Sequence, residues 1–283
     1  MDLGLKGKVA LVTGAGQGVG EGIGKLLAQE GARVVVNDFF QDRADKVAGE
    51  IVSAGGEAIG IQSDVSDFDS VTRMVKKAMD KFGRIDILVN NAGVPAPMPE
   101  GDSPASFDMS FEKVDRSMWK RYLDVNIYGT MNCTRAVIDQ MISQKYGKIV
   151  NIISDAGRIG EPRQAAYSAS KAGVAGFSKS LAKDMGKHCI NVNCVSLGAV
   201  PHPGIDNRRI GMMLKMGMTE EQAKEAIQKR REGASKLYPM ARGLGRLGTL
   251  TDIANAVAFF SSDVSVFITG QILSVSGGYT TVG

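Results

Sequence analysis

Residues 13–24 read TGAGQGVGEGIG, with a glycine at every second position from Gly14 to Gly24. The run follows the apolar stretch KVALV at residues 8–12 and opens into GKLLAQEGA at 24–32, whose apolar positions recur at helical spacing. On such a strand-to-helix turn the backbone N–H groups and the positive end of the helix dipole form an anion site, and missing Cβ atoms let a pyrophosphate come close. The fingerprint G-x-G-x-x-G does not fit, because each register puts Val19, Glu21, Ile23, Lys25 or Leu27 where its last glycine belongs. Two readings of the run stay open here: a dinucleotide turn, or a plain glycine turn with Gly22 and Gly24 kept small for helix–sheet packing.

Working outward, short β-branched runs alternate with stretches of helical period. ARVVVND precedes a helix at 42–54, EAIGIQSDV one at 67–82, IDILVNNAG one at about 116–144, and GKIVNIIS one at 165–186; INVNCVS and QILSVSGG complete the set. Strands apolar throughout are buried on both faces, the mark of a parallel sheet covered by helices. The pattern predicts an α/β fold: a single doubly wound Rossmann-type domain over residues 1–283, with about seven parallel strands. Residues 94–115, with four of the eight prolines, predict a long loop after the fourth strand. Residues 199–248 predict a substrate loop or lid, in which Thr219 and Gln222 fit a capping box that opens a helix through about Arg231.

Composition narrows the function. The net charge is +4 with no block of five or six like charges, which argues against a nucleic-acid or membrane surface. Three cysteines are too few for a disulfide scaffold, and no run of 18 apolar residues occurs, so a soluble, cytoplasmic chain is expected.

Asp38 ends the second strand, 18 residues after Gly20, near the usual interval for a carboxylate that accepts hydrogen bonds from an adenosine ribose. It would repel a 2′-phosphate, Phe39 and Phe40 offer no countercharge, and Gln17 stands in the loop, so NAD is favoured over NADP. Tyr167 and Lys171 are four apart on one helix face. An ammonium there, helped by oxidised nicotinamide, is expected to lower the phenol pKa toward general acid–base work. Ser154, at the end of the fifth strand, can donate a hydrogen bond to a substrate oxygen.

The spacing Thr13-Gly14, Gly18, Gly20 resembles the TGxxxGxG turn of the short-chain dehydrogenase/reductase family. Further matches follow in order: Asp64-Val65, NNAG at 90–93, Asn126 within DVNIYG, and Ser154 thirteen residues before YSASK at 167–171. The resemblance runs from about residue 6 to SVSGGYT. It implies a catalytic set of Asn126, Ser154, Tyr167 and Lys171, in which the tyrosine moves the hydroxyl proton as hydride passes to or from nicotinamide. Lys171 would also hold the nicotinamide ribose, and Asn126 a proton-relay water. The cofactor would rest on Gly14, Gln17, Gly18, Val19 and Gly20, with Asp38 and Phe39 at the ribose, Asp64 and Val65 beside the adenine, Asn91, Ala92 and Gly93 along the adenosine side, and the Val200 backbone near nicotinamide. Asn90 would hold the sheet together. The resemblance also implies a homotetramer or dimer, for whose interface the apolar run SVFITGQILSVSGGYTTVG is suited.

The chain departs from the family after the sixth strand, where Leu197-Gly198 replaces Pro-Gly and His202 replaces a threonine that seats nicotinamide. For His202 two readings stand, a substrate ligand or second acid–base group against an ordinary loop histidine. Asp155 and Arg158 are read either as substrate contacts or as a local surface ion pair. His188, Cys189 and Cys194 are read as core packing, with no metal site. Between Gly204 and Met240, Met212, Met213, Met216 and Met218 sit near Arg208, Arg209, Lys229, Arg230 and Arg231. They form either a lid over an apolar substrate with an anionic handle, or an amphipathic helix whose Glu220, Glu221, Glu225 and Glu232 balance the cations. The leading expectation is an NAD-dependent oxidoreductase interconverting a secondary alcohol and a ketone, on a small molecule such as a hydroxyacyl-CoA or cyclic alcohol. The alternatives are an NADP-dependent ketoreductase of the 3-oxoacyl reductase kind and a catalytically silent NAD-binding subunit.

Overall fold

Consecutive apolar positions along a strand need cover on both faces, and the computed structural model, which describes residues 2–93, 111–112 and 114–281, supplies it. The strands are β1 (Val9–Val12), β2 (Arg33–Asp38), β3 (Glu57–Gln62), β4 (Ile87–Asn90), β5 (Gly147–Ser154), β6 (Ile190–Leu197) and β7 (Ile272–Val275). They form one seven-stranded sheet in the order β3-β2-β1-β4-β5-β6-β7, every pair parallel.

Alternate residues of each strand feed two cores. Ala10, Val12, Val34 and Val36 pack with α1 (Gly18–Gln29), α2 (Gln41–Ser53) and α11 (Leu250–Ser261). Val9, Leu11, Val35 and Leu88 pack with α3 (Phe68–Phe82) and α5 (Gly129–Gln144), and α7 (Ala165–Met185) joins them through Ala182. Because β4 returns to the far side of β1, the chain diverges after β1 and after β4, and a crevice opens at the carboxyl ends of the strands.

Three departures from the expected layout bear on the site. The helix expected over 116–144 is broken: α4 (Arg116–Tyr122) passes through a π-helical stretch at Leu123–Tyr128 before α5, and Asn126 lies in that stretch. A π turn admits an extra residue and is frequent at functional sites. The segment 199–248 is not a loop but three helices, α8 (Pro203–Lys215), α9 (Glu220–Leu237) and α10 (Pro239–Leu244); the capping box on Thr219 and Gln222 is present and α9 runs past Arg231. The short α6 (Ala156–Ile159) begins directly after β5. Of the loop expected at 94–115, residues 94–110 and 113 lie outside the described residues. Cys133 and Cys194 are buried, but Cys189 is exposed, because a tight turn at Gly186–His188 precedes the strand and β6 starts only at Ile190. Among the described residues, no helix is long and apolar enough to cross a membrane.

Candidate active site

The glycine run owes its composition to close approach. Gly14 and Gly18 both have φ +61°, a left-handed conformation that side chains rarely adopt. A Cβ on Gly14 would lie 2.9 Å from the Ala92 Cα, and one on Gly20 would collide with the Gly14 carbonyl oxygen. The turn is held to β4 from the other side. Asn91 donates through Nδ2 to the carbonyls of Thr13 and Gly14 at 2.9 and 3.0 Å, and Thr13 Oγ1 accepts from the amides of Asn91 and Ala92. The N-cap of α1, Gln17, makes no capping hydrogen bond, so the first N–H groups of the helix stay open. This cradle fits a dinucleotide pyrophosphate.

Asp38 is buried at the end of β2, where its carboxylate accepts from the Gly16 amide at 3.1 Å and the Phe40 amide at 3.1 Å. Arg43 stands beside it, its guanidinium 4.4 Å from the centre of the Phe40 ring, and a Cβ on Gly16 would strike both Asp38 and Arg43. Arg43 lies on the first turns of α2, which bend it back over the turn. Asp64 caps its own turn, accepting from the Ser66 amide at 2.9 Å.

A cleft of about 1370 Å³ runs along the carboxyl ends of the strands. Gly14, Gln17, Val19, Asp38, Phe39, Asp64, Val65, Asn91, Ala92, Gly93 and Val200 reach its wall, as do Ser154, Tyr167 and Lys171. Gly18, Gly20 and Asn126 do not. Asn126 is buried behind the wall, where its Nδ2 donates to Ser170 Oγ at 2.8 Å, and Ser170 Oγ donates to the Tyr167 carbonyl at 2.7 Å. Ser170, the second serine of YSASK, is not among the residues that the sequence pattern points to; its position one turn from Tyr167 is the signal.

Tyr167 and Lys171 do meet, but their electrostatics correct the expectation. Burial raises the Tyr167 phenol above its ordinary value, although a hydrogen bond with Ser154 favours the ionised form. Lys171, buried and donating to the Ile152 carbonyl at 2.9 Å, is itself pushed down to about 8 by burial. Its ammonium sits 6.0 Å from the phenol ring centre, so loss of solvent outweighs attraction between the two groups. The edge of Tyr122 covers the phenol ring at 5.7 Å. A Cβ on Gly93 would lie 3.0 Å from Lys171 Nζ and 3.2 Å from Asn126 Oδ1, so both side chains converge on that glycine.

His202 is the N-cap of α8, its Nδ1 accepting from the Ile205 amide at 3.4 Å; burial lowers its pKa. A Cβ on Gly18 would lie 2.6 Å from the imidazole, so the ring packs on the glycine turn as it caps α8, and His202 also lines the cleft. Asp155 and Arg158 are an ion pair of 3.3 Å, but with side-chain exposures of 2% and 8% they are not on the surface. The carboxylate also accepts from Ser196 and Ser274, since the ends of β6 and β7 close over it. His188, Cys189 and Cys194 do not converge, and no group of three or more His, Cys, Asp or Glu that could hold a metal ion occurs among the described residues.

On the lid segment, Met212 reaches the cleft whereas Met213, Met216 and Met218 do not. Lys224 and Lys229 pair with Glu220 and Glu225 on the outer face of α9, so the balanced-helix reading holds for that face. Arg208, Arg209, Lys215, Arg230 and Arg231 line the cleft instead.

A short chain dehydrogenase family model matches residues 8–209. A 3-oxoacyl-[acyl-carrier-protein] reductase of Synechocystis sp. is 37% identical over 277 residues, 97% of each chain. Proteins of the same name from Thermotoga maritima and Staphylococcus epidermidis are 35% identical over 274 residues (97% of this chain, 98% of the relative) and 36% over 272 (96% and 98%). The chain therefore belongs to the short-chain dehydrogenase family and is an oxidoreductase.

Proposed function

From that membership we propose that the chain is a ketoreductase acting on the 3-oxo group of an acyl thioester, with Tyr167 as general acid. The observation that carries it is the buried phenol of Tyr167, hydrogen-bonded with Ser154 on the wall of the cleft and held above its ordinary pKa by burial. Reduction of a ketone needs an acid at the carbonyl oxygen, and a phenol held above its ordinary pKa stays protonated at neutral pH. The shared name of the relatives supports this alternative over a dehydrogenase of simple secondary alcohols.

A bound reduced nicotinamide dinucleotide supplies the hydride. Ser154 and Tyr167 hold the carbonyl oxygen, and Tyr167 passes its proton to that oxygen as negative charge builds there. The phenolate left behind is stabilised by the Lys171 ammonium. Asn126, beside Lys171 at Gly93, anchors the relay that returns a proton. The glycine turn from Gly14 to Gly20, with Gln17 and Val19, holds the pyrophosphate; Asp38 and Phe39 the adenosine ribose; Asp64, Val65, Asn91, Ala92 and Gly93 the adenine side; and Val200 the nicotinamide. Tyr167→Phe should lower turnover by roughly 10²–10⁴-fold while cofactor binding, followed by fluorescence, persists; turnover within a few-fold of wild type refutes the role.

For the cofactor, the Asp38 carboxylate supports NAD, since it repels a 2′-phosphate. Arg43 favours a second reading, NADP, because its side chain starts beside Asp38 at Gly16 and carries a cation over the Phe40 ring. Relative kcat/KM with NADH and NADPH decides: a preference for NADPH that is lost in Arg43→Ala assigns the phosphate to Arg43, whereas a preference for NADH that relaxes in Asp38→Ala sustains NAD. We further read the chain as one domain and as a homo-oligomer, supported by the fully exposed Phe267 in the C-terminal apolar run; light scattering on the eluted protein measures its mass.

A further inference from the structure

We propose that the inner wall formed by α8 and α9 is an anion site for the polyphosphate end of a free coenzyme A thioester. The proposal rests on the ketoreductase reading and names the carrier of its acyl group. Arg208, Arg209, Lys215 and Arg230 all line the cleft, and none of them has a carboxylate within ion-pair distance among the described residues. Three acids of the same two helices are in ion pairs, Asp206 with Arg231, tying α8 to α9, and Glu220 and Glu225 with lysines on the outer face, while Glu232 accepts from Gln228. The outer face is thus neutralised and the inner face is not.

A cluster of unpaired cations repels itself and is tolerated at a cleft wall when an anion completes it. Arg209 is half-buried and Arg208, Lys215 and Arg230 are exposed on the cleft side, so the cluster is open to an incoming anion, and partial burial lowers the pKa of Arg208 and Arg209. Coenzyme A carries a diphosphate and a 3′-phosphate, several negative charges that match several cations, whereas a carrier-bound pantetheine arm has a single phosphodiester. Guanidinium groups suit phosphate oxygens because they bind two at once.

The wall lies on the substrate side of the catalytic phenol. Arg208 is close enough to act electrostatically on Tyr122, and the Tyr122 ring packs against Tyr167. The glycine turn, with Arg43 beside Asp38, already provides for the phosphates of the dinucleotide. Met212, on the same face of α8, offers an apolar surface for the acyl or pantetheine chain.

The test compares one 3-oxoacyl group carried on coenzyme A, on N-acetylcysteamine and on acyl carrier protein, using the full chain. In wild type, KM for the coenzyme A thioester should be about a hundredfold below that for the N-acetylcysteamine thioester, from roughly tenfold for each of two guanidinium–phosphate contacts. In Arg208→Gln/Arg230→Gln that ratio should fall to within about fivefold, and Arg208→Lys/Arg230→Lys should recover part of it. Equal KM values for the two thioesters in wild type overturn the proposal, as does a ratio that survives the double substitution. A lower KM for the carrier-protein thioester, lost on the same substitutions, assigns the wall to a carrier protein and also overturns it. Calorimetry adds a readout without turnover: adenosine 3′,5′-bisphosphate should bind wild type saturated with reduced cofactor and should not bind the double Gln variant. Absence of binding to wild type overturns the site. Failure of wild type to reduce any of the thioesters, with bisphosphate binding intact and sensitive to the double substitution, overturns the ketoreductase reading and leaves the anion site standing.

Discussion

Replacing Asp155 with leucine should cost about 4 kcal/mol of stability, because its buried carboxylate accepts from the side chains of Ser196, Ser274 and Arg158. It is 2% exposed and accepts from Ser196 Oγ at 2.5 Å, from Ser274 Oγ at 3.0 and 3.1 Å, and from Arg158 Nη1 at 3.3 Å. Leucine keeps much of the volume and none of the acceptors. A hydrogen bond to a charged group contributes roughly 1.5–3 kcal/mol, and breaking a buried ion pair by removing one partner costs about 3–5 kcal/mol. These do not sum, since the donors share one carboxylate and Ser274 keeps its 2.8 Å contact with Ser276. Asp155→Asn retains an acceptor and should lose about half as much.

Urea denaturation followed by circular dichroism, with a double-mutant cycle through Arg158→Leu, measures these terms. In Asp155→Leu/Arg158→Leu the stranded charge is gone, so the double variant should be about 2 kcal/mol more stable than the sum of the single losses predicts. The network also adjoins Ser154, whose Oγ accepts from the Ala156 amide at 3.2 Å. A shift of the β5 end should therefore lower kcat by about tenfold or more even where the variant is fully folded. A loss below about 1 kcal/mol for Asp155→Leu, or strict additivity in the cycle, refutes the reasoning.

Reduction should lose efficiency as pH rises through about 8, where buried Lys171 gives up its proton. The sign follows from the lowered pKa: the ammonium that stabilises the phenolate is present below that value and absent above it, while Tyr167, raised by burial, stays protonated throughout. Lys171→Arg should move the limb above pH 10, and a kcat/KM profile flat to pH 9.5 in wild type counts against the assignment. Gly20→Ala forces a Cβ onto the Gly14 carbonyl and, at 2.5 Å, the Asn91 amide nitrogen; cofactor affinity by fluorescence titration should fall at least about tenfold. His202→Ala removes the N-cap of α8 and should cost about 1 kcal/mol, seen as faster amide exchange at Ile205, whereas His202→Asn should restore the protection. Burial lowers the His202 pKa, so the neutral cap persists through the ordinary histidine range and is lost only on acidification below it.

The strand count, the order of motifs and the glycine turn were legible because each is set by local pattern: consecutive apolar residues, fixed spacings and a run that only glycine satisfies. What escaped the sequence depends on chain segments brought together from far apart. Neither reading of Asp155 and Arg158, substrate contacts or a surface ion pair, could include the buried network, because its other donors are Ser196 and Ser274, 41 and 119 residues away from Asp155. Arg43 looked remote from Asp38 until α2 turned it back over Gly16. The acidity of Tyr167 was misjudged for a related reason. Spacing shows that Lys171 shares its helix face, but burial of both groups decides which effect wins, and burial is a property of the packed sheet ends.

The histidine that departs from the family pattern gains a physical reason from the same packing. His202 caps α8 while its ring rests on Gly18, and a Cβ on Gly204, in the first turn of α8, would lie 2.9 Å from the Gln17 side-chain oxygen. The first turn of α8 is therefore seated on the glycine turn that the cofactor phosphates would occupy. Helix α8 carries that contact at one end and the unpaired cations Arg208 and Arg209 one turn further on, while Asp206 ties it to Arg231 of α9. A group filling the glycine turn thus presses on the element that presents the cationic wall, so cofactor and substrate sites share a rigid helix rather than two independent loops. A threonine in place of His202 would restore a hydroxyl near nicotinamide but remove the imidazole between turn and helix, loosening the link that positions the substrate side.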